Sequence, residues 1–269
     1  MKHPSILLLA GLLGFAAAPP TAADPFADVV SLDIIPGWQT PQGTHMTALR
    51  VTLKPGWKTY WRTPGDAGIP PQFDWTGSNN ITAAQFHWPV PDVLDQNGMQ
   101  TIGYEDSLLL PIELSPAKPG ASITMAGEVT FGVCDDICIP VTLPFAAELP
   151  PDGRRDGAIT ASLINQPVAG ADAGVASASC TIAPARDGLE VTASMPMPNL
   201  GPVEAVVIEA GNPEVWVSQS DVTYSAGALS ATVDMVHVTA SSFALDRSAV
   251  RITLFGDGYA VDVQGCSAG

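Results

Sequence analysis

The sequence predicts an all-β protein made of two β-sandwich domains in tandem, on three observations. Between 121 and 133 the apolar residues Ile123, Met125, Val129, Phe131 and Val133 fall on odd positions, with Ser122, Thr124, Glu128 and Thr130 between them. That is the period of a half-buried strand. Short apolar runs of this kind recur along the chain, punctuated by 25 glycines and 25 prolines, the residues that turn a chain and interrupt sheets. No sustained 3.6-residue periodicity competes with them.

In order along the chain, residues 1–23 read as a secretory signal. Lys2 precedes an apolar run from Ile6 to Ala18, a Pro-Pro break follows, and Thr21 and Ala23 occupy cleavage-site positions. The run is shorter than the roughly 20 residues a membrane span needs, and no later segment reaches that length without charge or proline. No stable membrane insertion is expected. Asp24, not a cysteine, follows the cleavage site, which argues against a lipid anchor and for a soluble protein exported to the periplasm.

The first domain is assigned to 24–149, with strand-like runs at 28–35, 47–53, 106–114 and 121–133. The segment LPPDGRRDG at 149–157 is turn-rich and charged, and VAGADAGVASAS at 167–178 is small and low in complexity. Between them DGAITASLINQ, 156–166, fits a short helix, so 150–178 is assigned as a linker. The second domain, 179–269, has apolar runs at 189–194, 203–210, 228–238, 250–255 and 259–263. Domains of roughly 125 and 90 residues suit the spacing of strands and turns better than a single barrel.

Charge narrows the partners. Lys and Arg total 11 against 27 Asp and Glu, a net −16, one more negative once Lys2 leaves with the signal. Such a surface opposes nucleic acid and anionic lipid.

Export gives the cysteines their meaning, because disulfides persist in oxidising compartments. All four, Cys134, Cys138, Cys180 and Cys266, follow the signal. Cys134 and Cys138 flank Asp135, Asp136 and Ile137 at the end of what reads as a hairpin. By parity both continue the polar faces of their strands: Cys134 lies opposite the odd apolar set, and Cys138 sits with Pro140, Thr142 and Pro144 against Ile139, Val141, Leu143 and Phe145. Both sulfurs are therefore expected to face outward. Four extended residues span about 13 Å, whereas bridged cysteines need Cα atoms about 4.4–6.8 Å apart, so an oxidised pair requires residues 135–137 to form the turn. The two prolines suit an edge strand open to a partner.

Loop-closure entropy separates the candidate bridges. Closing 134–138 contributes only about 2 kcal/mol, whereas closing 180–266 contributes about 4.6 kcal/mol. Cys180–Cys266, which ties the ends of the second domain, reads as a structural disulfide, and Cys134–Cys138 as redox-active. Spacing alone equally allows a small structural disulfide. A metal clip is weaker, because His45, His87 and His237 are scattered and complete no tetrahedral set. Asp135 and Asp136 disfavour a thiolate beside them, which argues against a highly reactive free thiol.

Four segments in order, PGWKTYWRTPGDAGIPP at 55–71, WPVPDVL at 88–94, GYED at 103–106 and GVCDDICIP at 132–140, together resemble the N-terminal periplasmic (alpha) domain of DsbD-type thiol:disulfide interchange proteins, in the variant of the ScsB-like suppressors of copper sensitivity. The resemblance covers the first domain; the second matches by position and β character. It implies an immunoglobulin-like fold and a protein-disulfide reductase or electron-transfer adaptor without cofactor. Cys134 and Cys138 would be the catalytic pair. Cys138 would form the mixed disulfide with a thioredoxin-like carrier, and Cys134 would resolve it. Electrons would come from a separate transmembrane donor and pass to oxidised periplasmic proteins. The three-residue spacer is shorter than in better-known enterobacterial members, and no shielding cap loop is discernible.

The aromatic block Trp57, Tyr60 and Trp61, with Arg62 and Asp66, has two readings. One is core packing before a Pro-Gly-Asp turn, with Arg62 and Asp66 paired. The other is a cover over the disulfide that makes exchange depend on docking, in which the aromatics, like Asp135 and Asp136, modulate the pair. Met195 and Met197 in SMPMPN read as loop residues, and Tyr224, His237 and Tyr259 as ordinary sandwich positions. Two alternatives stand beside electron transfer: a non-enzymatic periplasmic binding module with inert disulfides, and a copper-handling protein.

Overall fold

The structure, a computed structural model, describes residues 28–65, 67–96, 98–175 and 177–269. The signal read at 1–23 and Asp66 lie outside them. Ten strands build the first sandwich: β1 (Val30–Gln39), β2 (His45–Leu53), β3 (Lys58–Tyr60), β4 (Gln72–Asp74), β5 (Ala83–Phe86), β6 (Asp92–Gln96), β7 (Met99–Glu105), β8 (Ser107–Ser115), β9 (Ile123–Cys134) and β10 (Cys138–Leu149). One sheet runs β1-β2-β8-β5; the other runs β10-β9-β3-β7-β6, with β4 also on β9.

Helix α1 (Gly157–Ile164) follows. It is capped by the Asp156 carboxylate, which accepts from the Ala158 and Ile159 amides, satisfying donors that a helix start leaves open. Ile159 packs with Trp38, Met46 and Ala48, and Ser162 donates to the Leu109 carbonyl at 2.8 Å. The helix is thereby pinned to the β2–β8 sheet.

The second sandwich holds β11 (Val168–Ala169), β12 (Ser179–Pro184), β13 (Leu189–Pro196), β14 (Val203–Glu209), β15 (Val215–Val217), β16 (Asp221–Ser225), β17 (Ala228–His237), β18 (Arg251–Gly256), β19 (Tyr259–Gln264) and β20 (Ser267–Ala268). Its sheets run β11-β19-β18-β14 and β15-β17-β13-β12-β20, with β16 also on β17. Both sandwiches are all-β and immunoglobulin-like, in tandem.

The long strands fall where apolar alternation is clearest. Along β9 and β10, Ile123, Met125, Val129, Phe131, Val133, Val141, Phe145 and Leu149 are buried in the first core. The two cores meet, because Ala205, Phe255 and Ala260 of the second sandwich belong to that same cluster. Met195 lies in β13, and both it and Met197 are buried in the second core. The loop reading is corrected for Met195, through which the alternation of β13 continues; Met197 lies just beyond the strand, in the loop, with its side chain buried.

Candidate functional site

The hairpin of β9 and β10 is in register from Leu149↔Ile123 down to Cys138↔Cys134. Residues Asp135, Asp136 and Ile137 connect the strands and are exposed, Ile137 to 73%. Cys134 and Cys138 are bonded, with Cα atoms 4.2 Å apart. The bond closes the open end of the hairpin, and β10 is the edge strand of its sheet.

The two sulfurs are not equivalent. Cys138 is half-buried, whereas Cys134 is fully buried, so the expectation that both face outward is corrected. Parity holds, since Cys134 does point away from the core side of β9. That face is itself covered by a segment about seventy residues earlier. Gly132 permits the covering: a β-carbon there would lie 2.5 Å from Ile69 Cβ and 3.0 Å from Tyr60 Cδ2. Gly68 abuts the other edge of the same ring, where a β-carbon would lie 2.9 Å from Tyr60 Cδ1 and 2.2 Å from Pro64 Cβ. The Tyr60 ring thus fills a slot between two residues without side chains.

Strand β3 delivers Tyr60 to that slot. It pairs with β9 and with β7, and the Thr59 hydroxyl donates to the Gly132 carbonyl at 2.9 Å. The Tyr60 hydroxyl lies 2.7 Å from Cys134 Sγ and 3.0 Å from Cys138 Sγ. Bonded sulfurs carry no proton, so the hydroxyl is the donor. When the bond opens, the same hydroxyl is in place to donate to the thiolate that forms on Cys134, an interaction stronger than one between neutral groups.

Register adds a residue that sequence reasoning passed over. Lys58 stands opposite Cys134 on one side and Glu105 on the other, so Cys138, Cys134, Lys58 and Glu105 form a row across the sheet. Directly opposed side chains on one face are close enough to interact. An ammonium at that position favours negative charge on Cys134.

The aromatic block divides. Tyr60 meets the sulfurs, whereas Trp61 is buried edge-on against Phe255 of the second sandwich, with centroids 5.3 Å apart. Trp57 packs half-buried on the first core. The Arg62 guanidinium forms an ion pair with Glu209 at 2.7 Å, and Asp66, the acid expected beside it, lies outside the described residues.

Away from this site, Cys180 and Cys266 are bonded, with Cα atoms 5.7 Å apart. His45 is buried and bonds the Pro36 carbonyl through Nε2, His87 pairs with Glu113, and His237 pairs with Glu214. Among the described residues no group of three or more His, Cys, Asp or Glu converges as a metal site, and no helix is long and apolar enough to cross a membrane.

Residues 31–150 match the family model for the N-terminal domain of thiol:disulfide interchange protein DsbD. The crystal structure of the N-terminal periplasmic domain of ScsB from Proteus mirabilis has the same fold, with a TM-score of 0.65 at 24% identity. That match covers 92% of this chain and 97% of the other, so it takes in both sandwiches. No curated protein matches the chain.

Proposed function

We propose, from the match of residues 31–150 to the DsbD N-terminal family model, that the chain is a periplasmic thiol:disulfide interchange protein that relays electrons through Cys134 and Cys138. The observation that carries this reading is the asymmetry of the bond: one cysteine half-buried on an edge strand, the other fully buried beside a tyrosine hydroxyl. An incoming thiolate attacks the sulfur it can reach, in line with the bond it breaks.

A thioredoxin-like carrier supplies the electrons. Its thiolate attacks Cys138 Sγ, the Cys134–Cys138 bond breaks, and Cys134 leaves as a thiolate that accepts a hydrogen bond from Tyr60. The carrier's second thiol then attacks its own sulfur in the mixed disulfide and releases Cys138. Two electrons and two protons have moved, leaving an oxidised carrier and a reduced pair. In the forward delivery step Cys138 attacks an oxidised periplasmic protein, and Cys134 resolves the mixed disulfide. A transmembrane donor recharges the carrier.

The test is the reduction potential of the pair in the Cys180→Ser/Cys266→Ser background, by glutathione equilibration with mass-spectrometric counting of thiols. A value between about −120 and −270 mV supports electron relay, whereas one below about −300 mV makes the pair a staple and the chain a binding module. Trapping adds a second readout: Cys134→Ser should accumulate the Cys138 mixed disulfide with a carrier, and Cys138→Ser should not.

A further inference from the structure

Strand β16, in the second sandwich, is an edge without protection. It pairs with β17 from Asp221↔Thr232 to Ser225↔Ala228, and among the described residues no strand lies on its other side. All five of its residues are exposed. Edge strands are ordinarily guarded by proline, lysine or a bulge. The edge strand β10 carries Pro140 and Pro144, whereas Asp-Val-Thr-Tyr-Ser has none of these devices. Its single charge, Asp221, stands at one end, in a chain with 27 acidic residues.

The turn that follows fixes which groups face outward. Ala226 and Gly227, with φ of 53° and 79°, form the two-residue connection to β17, a type I′ turn closed by the Ser225–Ala228 pair. Bonded and non-bonded pairs alternate along an antiparallel ladder, so Ser225, Thr223 and Asp221 direct their main-chain groups to β17. Those of Val222 and Tyr224 point away from it. Side chains alternate as well. Val222 and Tyr224 stand opposite the buried Ala231 and Leu229, on the core side, while Thr223 stands on the outer face opposite Ser230, whose hydroxyl donates to that of Ser194. On the core side the strand borders a cleft of about 540 Å³, lined also by Met197, Leu200, Val203 and Tyr259. Among the described residues no charged side chain lines it. Both tyrosine hydroxyls are engaged: Tyr224 donates to the Met197 carbonyl at 3.1 Å and Tyr259 to the Pro202 carbonyl at 3.2 Å. The edge thus offers main-chain groups, and the cleft apolar surface, to one occupant.

We propose that this occupant is β16 of a second copy of the chain, in an antiparallel pair centred on Thr223. The segment is its own complement in that register. Val222 exchanges two main-chain bonds with the partner's Tyr224, Tyr224 does the same with the partner's Val222, and the two-fold axis passes between the two Thr223 side chains. Val–Tyr pairs meet over both clefts and the Thr223 hydroxyls meet on the outer face, cross-strand pairs of the kinds that stabilise sheets. Asp221 faces the partner's Ser225, so no like charges are opposed. A patch that pairs with itself about a two-fold axis closes at the dimer. The turn at Ala226 ends the pairing after five residues, which makes the contact small and the dimer weak. The proposal goes beyond the redox reading and does not depend on it, since Cys134 and Cys138 belong to a sheet of the other sandwich.

Sedimentation equilibrium of the chain as exported tests it. The weight-average mass should climb from one chain toward two between about 1 μM and 1 mM, and at lower concentration in high salt, which screens the repulsion between two acidic molecules. Val222→Pro removes an outward amide while leaving the ladder to β17 intact, and should weaken association at least tenfold. Thr223→Glu and Thr223→Lys should each do the same, because each opposes like charges at the axis. An equimolar mixture of those two should dimerise at least as tightly as wild type, a rescue specific to a register in which position 223 faces itself. Circular dichroism checks that each variant is folded; if Val222→Pro is not, the two Thr223 variants, at an exposed outer position, carry the test. A wild type that stays monomeric, a mass that rises past two chains, a dimer that the substitutions leave unchanged, or a mixture that fails to dimerise overturns the proposal. A monomeric wild type that retains a synthetic Val-Thr-Val-Thr-Val peptide on this edge assigns it to a foreign strand, and overturns the proposal as well.

Discussion

The two disulfides of this chain have opposite designs. Cys180 and Cys266 are 86 residues apart and join the first long strand of the second sandwich to the segment after its last long strand. Cys134 and Cys138 are 4 residues apart, already adjacent in a continuous hairpin ladder. The long loop constrains the unfolded chain strongly and the short one weakly. Under the proposed relay the bond that adds little constraint, roofed by Tyr60, is the one that exchanges, and the long-loop bond is the staple.

The largest effect that tests this contrast is on stability. Replacing Cys180 and Cys266 together by serine should cost about 4 to 5 kcal/mol, and replacing Cys134 and Cys138 together about 2 kcal/mol or less. Urea titration of each double variant measures both, and equal losses would break the comparison. Tyr60→Phe should come next. Hydrogen bonds to charged groups contribute about 1.5–3 kcal/mol, so exchange with a carrier should slow roughly ten- to hundredfold while the urea midpoint moves little. A large midpoint shift with normal exchange would make Tyr60 a packing residue.

Lys58→Met should slow exchange by a smaller factor, about three- to tenfold, through loss of an opposing charge of the kind that tunes thiolates. High salt should shrink the difference between variant and wild type. The smallest effect belongs to acid. Burial lowers the pKa of His45, and its bond to the Pro36 carbonyl only partly offsets that. A depressed folded value means the native state favours neutral imidazole, so this stability is present above the ordinary value of 6.5 and is lost as pH falls below it. Amide exchange of β2 should quicken on acidification, and His45→Gln should flatten that dependence.

Apolar alternation made much of the fold legible. It located β9 and β10, and the runs read at 47–53, 106–114 and 189–194 coincide closely with β2, β8 and β13. The short strands between Lys58 and Glu105 carried no such signal, because three to seven residues broken by proline and glycine do not establish a period. At the site, parity gave the side of the sheet on which Cys134 lies but not its burial. Burial there depends on Tyr60 and Ile69 arriving from far along the chain, through the space that Gly132 and Gly68 leave. Glu209, which receives Arg62, lies 147 positions away, beyond the reach of any local pattern. Lys58 stood inside a quoted motif, yet only strand register shows that it faces Cys134.

Pro140 and Pro144 sit on the edge strand at positions of one parity, opposite Gly132 and Glu128, within an uninterrupted ladder to β9. Their missing amides therefore fall on the outward side of the sheet. A further strand laid along this rim would find gaps where donors belong. The gaps disfavour backbone zippering beside Cys138 relative to recognition by side-chain shape and charge, and they make the rim a poor template for stray extended peptides.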